Sequence, residues 1–70
     1  MKESIRNQLP GTVKSIISDT VASEVIMETA AGEIASIVTT RSVEEMELKV
    51  GDKVFALIKA TNVSIRKDTL

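Results

Sequence analysis

The stretch VASEVIMETAAGEIASIVT, residues 21–39, decides the architecture. Val21, Val25 and Met27 alternate with Glu24 and Glu28, a period of two that puts apolar side chains on one face of an extended strand. Ala30, Ala31, Gly32 and Glu33 then close a hairpin through the glycine. The run from Ile34 to Thr39 is rich in β-branched residues and reads as the returning strand.

The same period continues outward on both sides. Upstream, Leu9, Gly11, Val13, Ser15 and Ile17 share one face of a strand, with Pro10, Thr12, Lys14 and Ile16 on the other. Ser18, Asp19 and Thr20 make the turn into the hairpin, since short polar side chains bond nearby backbone there. Downstream the period changes. Ser42 and Glu45 have capping-box spacing, with Val43, Met46 and Leu48 facing a core, which predicts a helix of one or two turns. Glu44 and Glu45 are then acidic residues early in that helix, favoured by its dipole, rather than a catalytic carboxylate pair. Val50, Gly51 and Asp52 turn the chain into a fourth strand, 53–59, and residues 63–66 read as a short fifth. Phe55, the one aromatic residue, is expected in the core. Together these elements predict an all-β fold, a small five-stranded OB-fold-like barrel with one short helix, in a single domain spanning residues 1–70.

Composition narrows function. Without cysteine there is no disulfide or thiolate metal site, and without histidine the commonest transition-metal ligand and general base are missing. The glycines at 11, 32 and 51 stand alone, so no glycine-rich loop cradles phosphate. These absences argue against an enzyme. A 70-residue chain with neither staple is expected to gain stability by association with other copies of itself. No apolar run approaches the ~20 residues that span a bilayer, and the N-terminus lacks a signal-peptide core, so a soluble cytoplasmic protein with no membrane partner is expected. Nine basic and ten acidic side chains give a net charge of −1. With one aromatic residue and no basic excess, the chain is poorly equipped to bind single-stranded nucleic acid, which needs stacking platforms beside a cationic groove.

Hydrogen-bond donors nevertheless cluster at strand ends: Ser4, Arg6 and Asn7 before the first strand, Lys59, Thr61 and Asn62 after the fourth. Guanidinium, ammonium and hydroxyl donors together suit a small oxyanion. Lys59 ends an apolar run, so its stem is expected against apolar surface, where a partly desolvated ammonium favours a neighbouring anion.

Three segments carry a family resemblance. SIRNQLPGTV at 4–13 resembles S-A-R-N-Q-L-x-G-x-V, VTTRSVEEMEL at 38–48 resembles I-T-x-x-S-V-E-E-L-x-L, and GDKVFALIKATNV at 51–63 resembles G-x-x-V-x-A-x-I-K-A-T-x-V. In this order and spacing the chain resembles the molbindins, molybdenum-pterin-binding Mop proteins with a TOBE-type molybdate-binding domain. The resemblance implies an OB-like barrel in a homohexamer, a trimer of dimers, binding molybdate or tungstate where subunits meet, for intracellular molybdenum storage and homeostasis. Carried over by position, it assigns the oxyanion to Ser4, Arg6, Lys59, Ala60 and Thr61, with Thr20, Val21 and Asn7 as secondary contacts. Asn7 also suits a turn or strand-edge hydrogen bond. No direct metal-cation ligand is implied. The chain departs from the pattern at Ile5, at Pro10, and at Ser18 and Asp19, where relatives often carry Lys-Gly; the last puts a negative charge beside the secondary contacts. Two other readings remain at the level of sequence: a molybdate-responsive sensor or protein-interaction module, and a single-stranded oligonucleotide-binding barrel.

Overall fold

The computed structural model describes residues 6–68; Ser4 and Ile5 lie outside them. Four strands, β1 (Asn7–Ser18), β2 (Ala22–Thr29), β3 (Gly32–Thr39) and β4 (Lys53–Ile58), form one antiparallel sheet in the order β3-β2-β1-β4. A helix, α1 (Thr40–Glu45), follows β3, and a 3-10 turn, Ala60–Asn62, follows β4. The fold is mostly β with one short helix, as expected. The expected closure into a five-stranded barrel is not seen among the described residues: residues 63–66 pair with no strand, and β3 and β4 remain the sheet edges. Alternation is a local property and Val63 and Ile65 have it, but a ladder also requires a neighbouring row of backbone groups, which these residues lack.

The hairpin of residues 21–39 forms nearly as read, with Ala30 and Ala31 at its tip. Ser23, Val25 and Met27 point inward opposite Val38, Ser36 and Ile34. Val21, expected on that inner face, instead lies in the preceding turn and is exposed. The core cluster is Val13, Val25 and Val43, with Ile16, Val38, Leu48 and Val54 packed on it.

In β1 the expected alternation holds only as far as Val13. The register with β2 slips at Lys14, which is left without a partner between the pairs Val13↔Met27 and Ser15↔Ile26. One extra residue in a period of two exchanges the faces. Ile16 therefore turns to the core, while Ile17, expected beside Val13, is exposed. The Lys14 ammonium is carried to the Glu33 carboxylate. Pro10 pairs with Phe55 one residue before the β1–β2 ladder begins at Gly11↔Thr29, so β1 is an edge on that side where proline sits. Phe55 itself is not in the core. Val54, Ala56 and Ile58 take the inward positions of β4, leaving Phe55 63% exposed.

The helix cap also differs from the sequence reading. Thr39, not Ser42, is the N-cap, and its Oγ1 accepts from the Ser42 amide at 3.0 Å. Because the helix starts at Thr40, Glu44 and Glu45 fall in its last turn rather than its first, and the Glu45 carboxylate accepts from Arg41 one turn back. At the other end, the amide of Leu48 donates to the Val43 carbonyl and that of Glu47 to Glu44, each at 3.0 Å. This is a Schellman motif with Glu47 at the left-handed position, φ 52°. Leu48 completes it by packing on Val43, whereas Met46, expected to face the core, is 59% exposed.

Two substitutions test these features. A Cβ at Gly11 would lie 2.8 Å from the Glu28 carbonyl oxygen and 2.9 Å from Thr29 Cγ2, so Gly11→Ala should destabilise the fold by about 1–3 kcal/mol in denaturant unfolding. Glu47→Gly removes the Cβ cost of the left-handed conformation and should stabilise by about 1 kcal/mol in the same measurement.

Candidate functional site

The last pair of the β1–β4 ladder is Asn7↔Ile58. Arg6 precedes one member and Lys59 follows the other, so antiparallel pairing brings the two cations to the same end of the sheet although 53 positions apart in sequence (59 − 6). Both are exposed, and neither has an acidic partner among the described residues. Lys59 is therefore not held in an apolar niche as its sequence context suggested. It stands in solvent at the strand end because the chain turns there: Lys59 is extended, φ −65° and ψ 139°, and caps the 3-10 turn.

That turn begins with the Asn62 amide donating to the Lys59 carbonyl at 2.8 Å, followed by Val63 to Ala60 at 3.2 Å. The amides of Ala60 and Thr61 come before the first of these bonds and have no acceptor within the turn. Ala60 and Thr61 are exposed beside Lys59. Asn7 is exposed in the first position of β1, where its backbone joins the edge pairing. A shallow cleft lined by Arg6, Asn7, Leu9, Ile58 and Val63 lies at this end. Five of the sequence-assigned residues, Arg6, Asn7, Lys59, Ala60 and Thr61, thus share one end of the β1–β4 pair. Two cations with no counter-ion among the described residues, a hydroxyl and two turn amides form a donor set for a compact anion.

Thr20 and Val21 are elsewhere. They occupy the turn after β1, while Arg6 immediately precedes it, and twelve extended residues separate the two ends by roughly 35 Å. The turn is built around Asp19. Its Oδ1 accepts from the Val21 amide at 2.9 Å and the Ala22 amide at 2.8 Å. The main-chain donor of Val21, assigned by position to an oxyanion, is thus bound to a carboxylate of its own chain. These two hydrogen bonds, that from Ala22 being the stronger influence, hold the Asp19 carboxyl below its ordinary value of 3.8.

A file of hydroxyls that the sequence reading did not single out braces this turn. Thr40 Oγ1 donates to the Asp19 carbonyl at 2.7 Å. Its proton being committed, Thr40 accepts from Ser23 Oγ at 2.8 Å, and Ser23, 1% exposed, in turn accepts from Ser18 Oγ at 2.6 Å. The network ties β1, β2 and α1 to the turn and fully satisfies the buried Ser23. The only signal in the sequence was Ser23 at an inward position of β2, where an apolar residue is the default. No group of three or more acidic residues among the described ones is placed to hold a metal ion, and no helix among them is long and apolar enough to cross a membrane.

A family model described as the TOBE domain matches residues 3–65. Molybdenum-pterin-binding protein 1 of Clostridium pasteurianum is 42% identical over 66 residues, which cover 93% of this chain and 97% of that protein. Among solved structures, a molybdate-binding protein from Sporomusa ovata aligns with a TM-score of 0.91 at 42% identity, over 96% of this chain and 100% of that one. The cytoplasmic molybdate-binding protein ModG, in a crystal form with molybdate bound, aligns with a TM-score of 0.82 at 44% identity, over 89% of this chain and 45% of its own length.

The Asp19 bonds have a pH signature. A depressed folded-state value means that the stabilisation is present above the unfolded value, near 3.8, and is lost as pH falls through the folded value. Asp19→Ala should therefore lower the denaturation midpoint at pH 7, with the difference from the parent shrinking as the pH is taken below 3.8 in chemical unfolding followed by circular dichroism.

Proposed function

The chain belongs to the TOBE domain family, and we propose that it binds molybdate, with tungstate as an accepted substitute, for molybdenum storage and homeostasis in the cytoplasm. The observation that carries this reading is the placement of Arg6 and Lys59, both without counter-ions among the described residues, at the same end of the β1–β4 ladder. Molybdate is a tetrahedral dianion with acceptor oxygens only. Two cations neutralise its charge, and the Thr61 hydroxyl with the amides of Ala60 and Thr61 supplies directional bonds. Ser4, which lies outside the described residues two positions before Arg6, adds a further hydroxyl in this reading.

The site is proposed to be completed between subunits of a homohexamer, a trimer of dimers, each chain acting as one domain over residues 1–70. Two features support association. Ile17, Val21, Ile37, Val50 and Phe55 are all more than 60% exposed in one chain, apolar surface that packing against another copy would take out of water. The anion donors sit on the surface rather than in an enclosing pocket. Binding at such a boundary stabilises the assembly through linkage. The chain is a carrier rather than a catalyst in this reading, with donors for an anion but no histidine or cysteine for acid-base or nucleophilic work.

Arg6→Ala and Lys59→Ala should each weaken molybdate binding tenfold to a hundredfold by isothermal titration, the loss of a charged hydrogen-bond donor being worth about 1.5–3 kcal/mol. Circular dichroism should be unchanged, since both side chains are exposed. Unaltered affinity in both variants would remove the site assignment.

A further inference from the structure

The two ends of β1 carry the same kind of donor in opposite states. At the Arg6 end, the amides of Ala60 and Thr61 have no acceptor within their turn. At the other end two successive amides also converge on one point, but that point is filled. Asp19 Oδ1 lies 2.9 Å from the Val21 nitrogen and 2.8 Å from the Ala22 nitrogen, the place that an oxygen of a bound anion would take in such a cradle. A carboxylate tethered beside its donors competes with a free anion at high effective concentration, so the two exclude each other in favour of the side chain.

The surroundings of the turn are acceptors as well. The hydroxyl protons of Ser18, Ser23 and Thr40 all run toward the Asp19 carbonyl, so the proton of Ser18 is committed inward and its oxygen keeps only acceptor capacity. Glu24 lines the same cleft as Ser18 and Asp19, and neither carboxylate has an ion-pair partner among the described residues. A free oxyanion arriving here meets two negative charges and no uncommitted hydroxyl proton from this file.

We propose that Asp19 is a built-in anion: its carboxylate fills the main-chain cradle at Val21 and Ala22, closes that turn to oxyanions, and leaves the chain a single class of oxyanion site, at Arg6 and Lys59. The inference rests on the oxyanion reading for which end is open. It goes beyond that reading by naming the residue that decides how many classes of site the chain has.

Two measurements test it. In the unaltered chain, amide nuclear magnetic resonance during a sodium molybdate titration should shift Ala60 and Thr61 and leave Val21 and Ala22 in place; a saturable shift of the latter pair would overturn the proposal. The second measurement isolates the turn in a background of Arg6→Ala, Lys59→Ala and Glu24→Gln, which silences the first site and the neighbouring charge. Asp19→Gly frees both amides, whereas Asp19→Asn keeps a side-chain carbonyl that accepts from them without the charge. By isothermal titration, Asp19→Gly should bind molybdate at least about tenfold tighter than the background, with Val21 and Ala22 now shifting, and Asp19→Asn should show no gain. No gain in Asp19→Gly with the fold retained by circular dichroism would overturn the proposal, and so would an equal gain in Asp19→Asn, which would make charge rather than occupancy the cause. Should Asp19→Gly fail to fold, the titration of the unaltered chain still decides. A chain that shows no shift at Ala60 and Thr61 loses the Arg6 and Lys59 reading, while the comparison of the Asp19 variants still reports on the turn, so the two failures are distinguishable.

Discussion

The structure depends on one strand serving two ladders. β1 pairs with β4 through Asn7–Thr12 and with β2 through Gly11–Ser18, overlapping only at Gly11 and Thr12. Where three strands crowd together there is no room for a side chain, and Gly11 lets the β2 backbone approach. Just beyond, the slip at Lys14 exchanges the faces of β1, so that Val13 and Ile16 both reach the core from one strand. Asp52 and Gly51 take up the backbone of Val13 on the β4 side, each at 2.9 Å, which extends the contact past the end of the ladder. The position of the proposed anion donors follows from this strand.

β1 also keeps two kinds of chemistry apart. Its first end presents cations without counter-ions among the described residues, while its second end is a turn in which the Val21 and Ala22 amides are already bound to a carboxylate. A net charge of −1 provides no long-range attraction for an anion, so selectivity has to come from short-range donors. In the proposed reading, Arg6 and Lys59 meet that need through strand register rather than through sequence proximity. Asp19 acts in the opposite sense: its negative charge and its use of the Val21 amide disfavour an anion at the turn.

Much of this was legible in the sequence, and the exceptions have identifiable causes. The hairpin of residues 21–39 was readable because alternation, a tight turn and β-branched content agree there. The joint position of Arg6 and Lys59 was implied by the motifs, but only the register Asn7↔Ile58 explains it physically. Ile17 and Phe55 were misplaced for different reasons. An inserted residue changes the phase of a strand without changing its composition, so the bulge at Lys14 left no local trace. Phe55 belongs to a run apolar on both faces, VFALI, in which hydrophobicity cannot say which side turns inward. The cap moved from Ser42 to Thr39 because three hydroxyl residues, Thr39, Thr40 and Ser42, compete there, and the end of β3 selects the first.

The outcome for residues 63–66 is of another kind. Their pattern describes a strand as a local preference, and no strand among the described residues pairs with them. A sheet with two free edges and an extended segment with exposed apolar side chains are both poor final states in water for an isolated chain. The seventy-residue length then matters less than it first appears. In the proposed assembly, a chain too small to bury a large core and too neutral to attract an anion from a distance gains both apolar burial and an enclosed site from association.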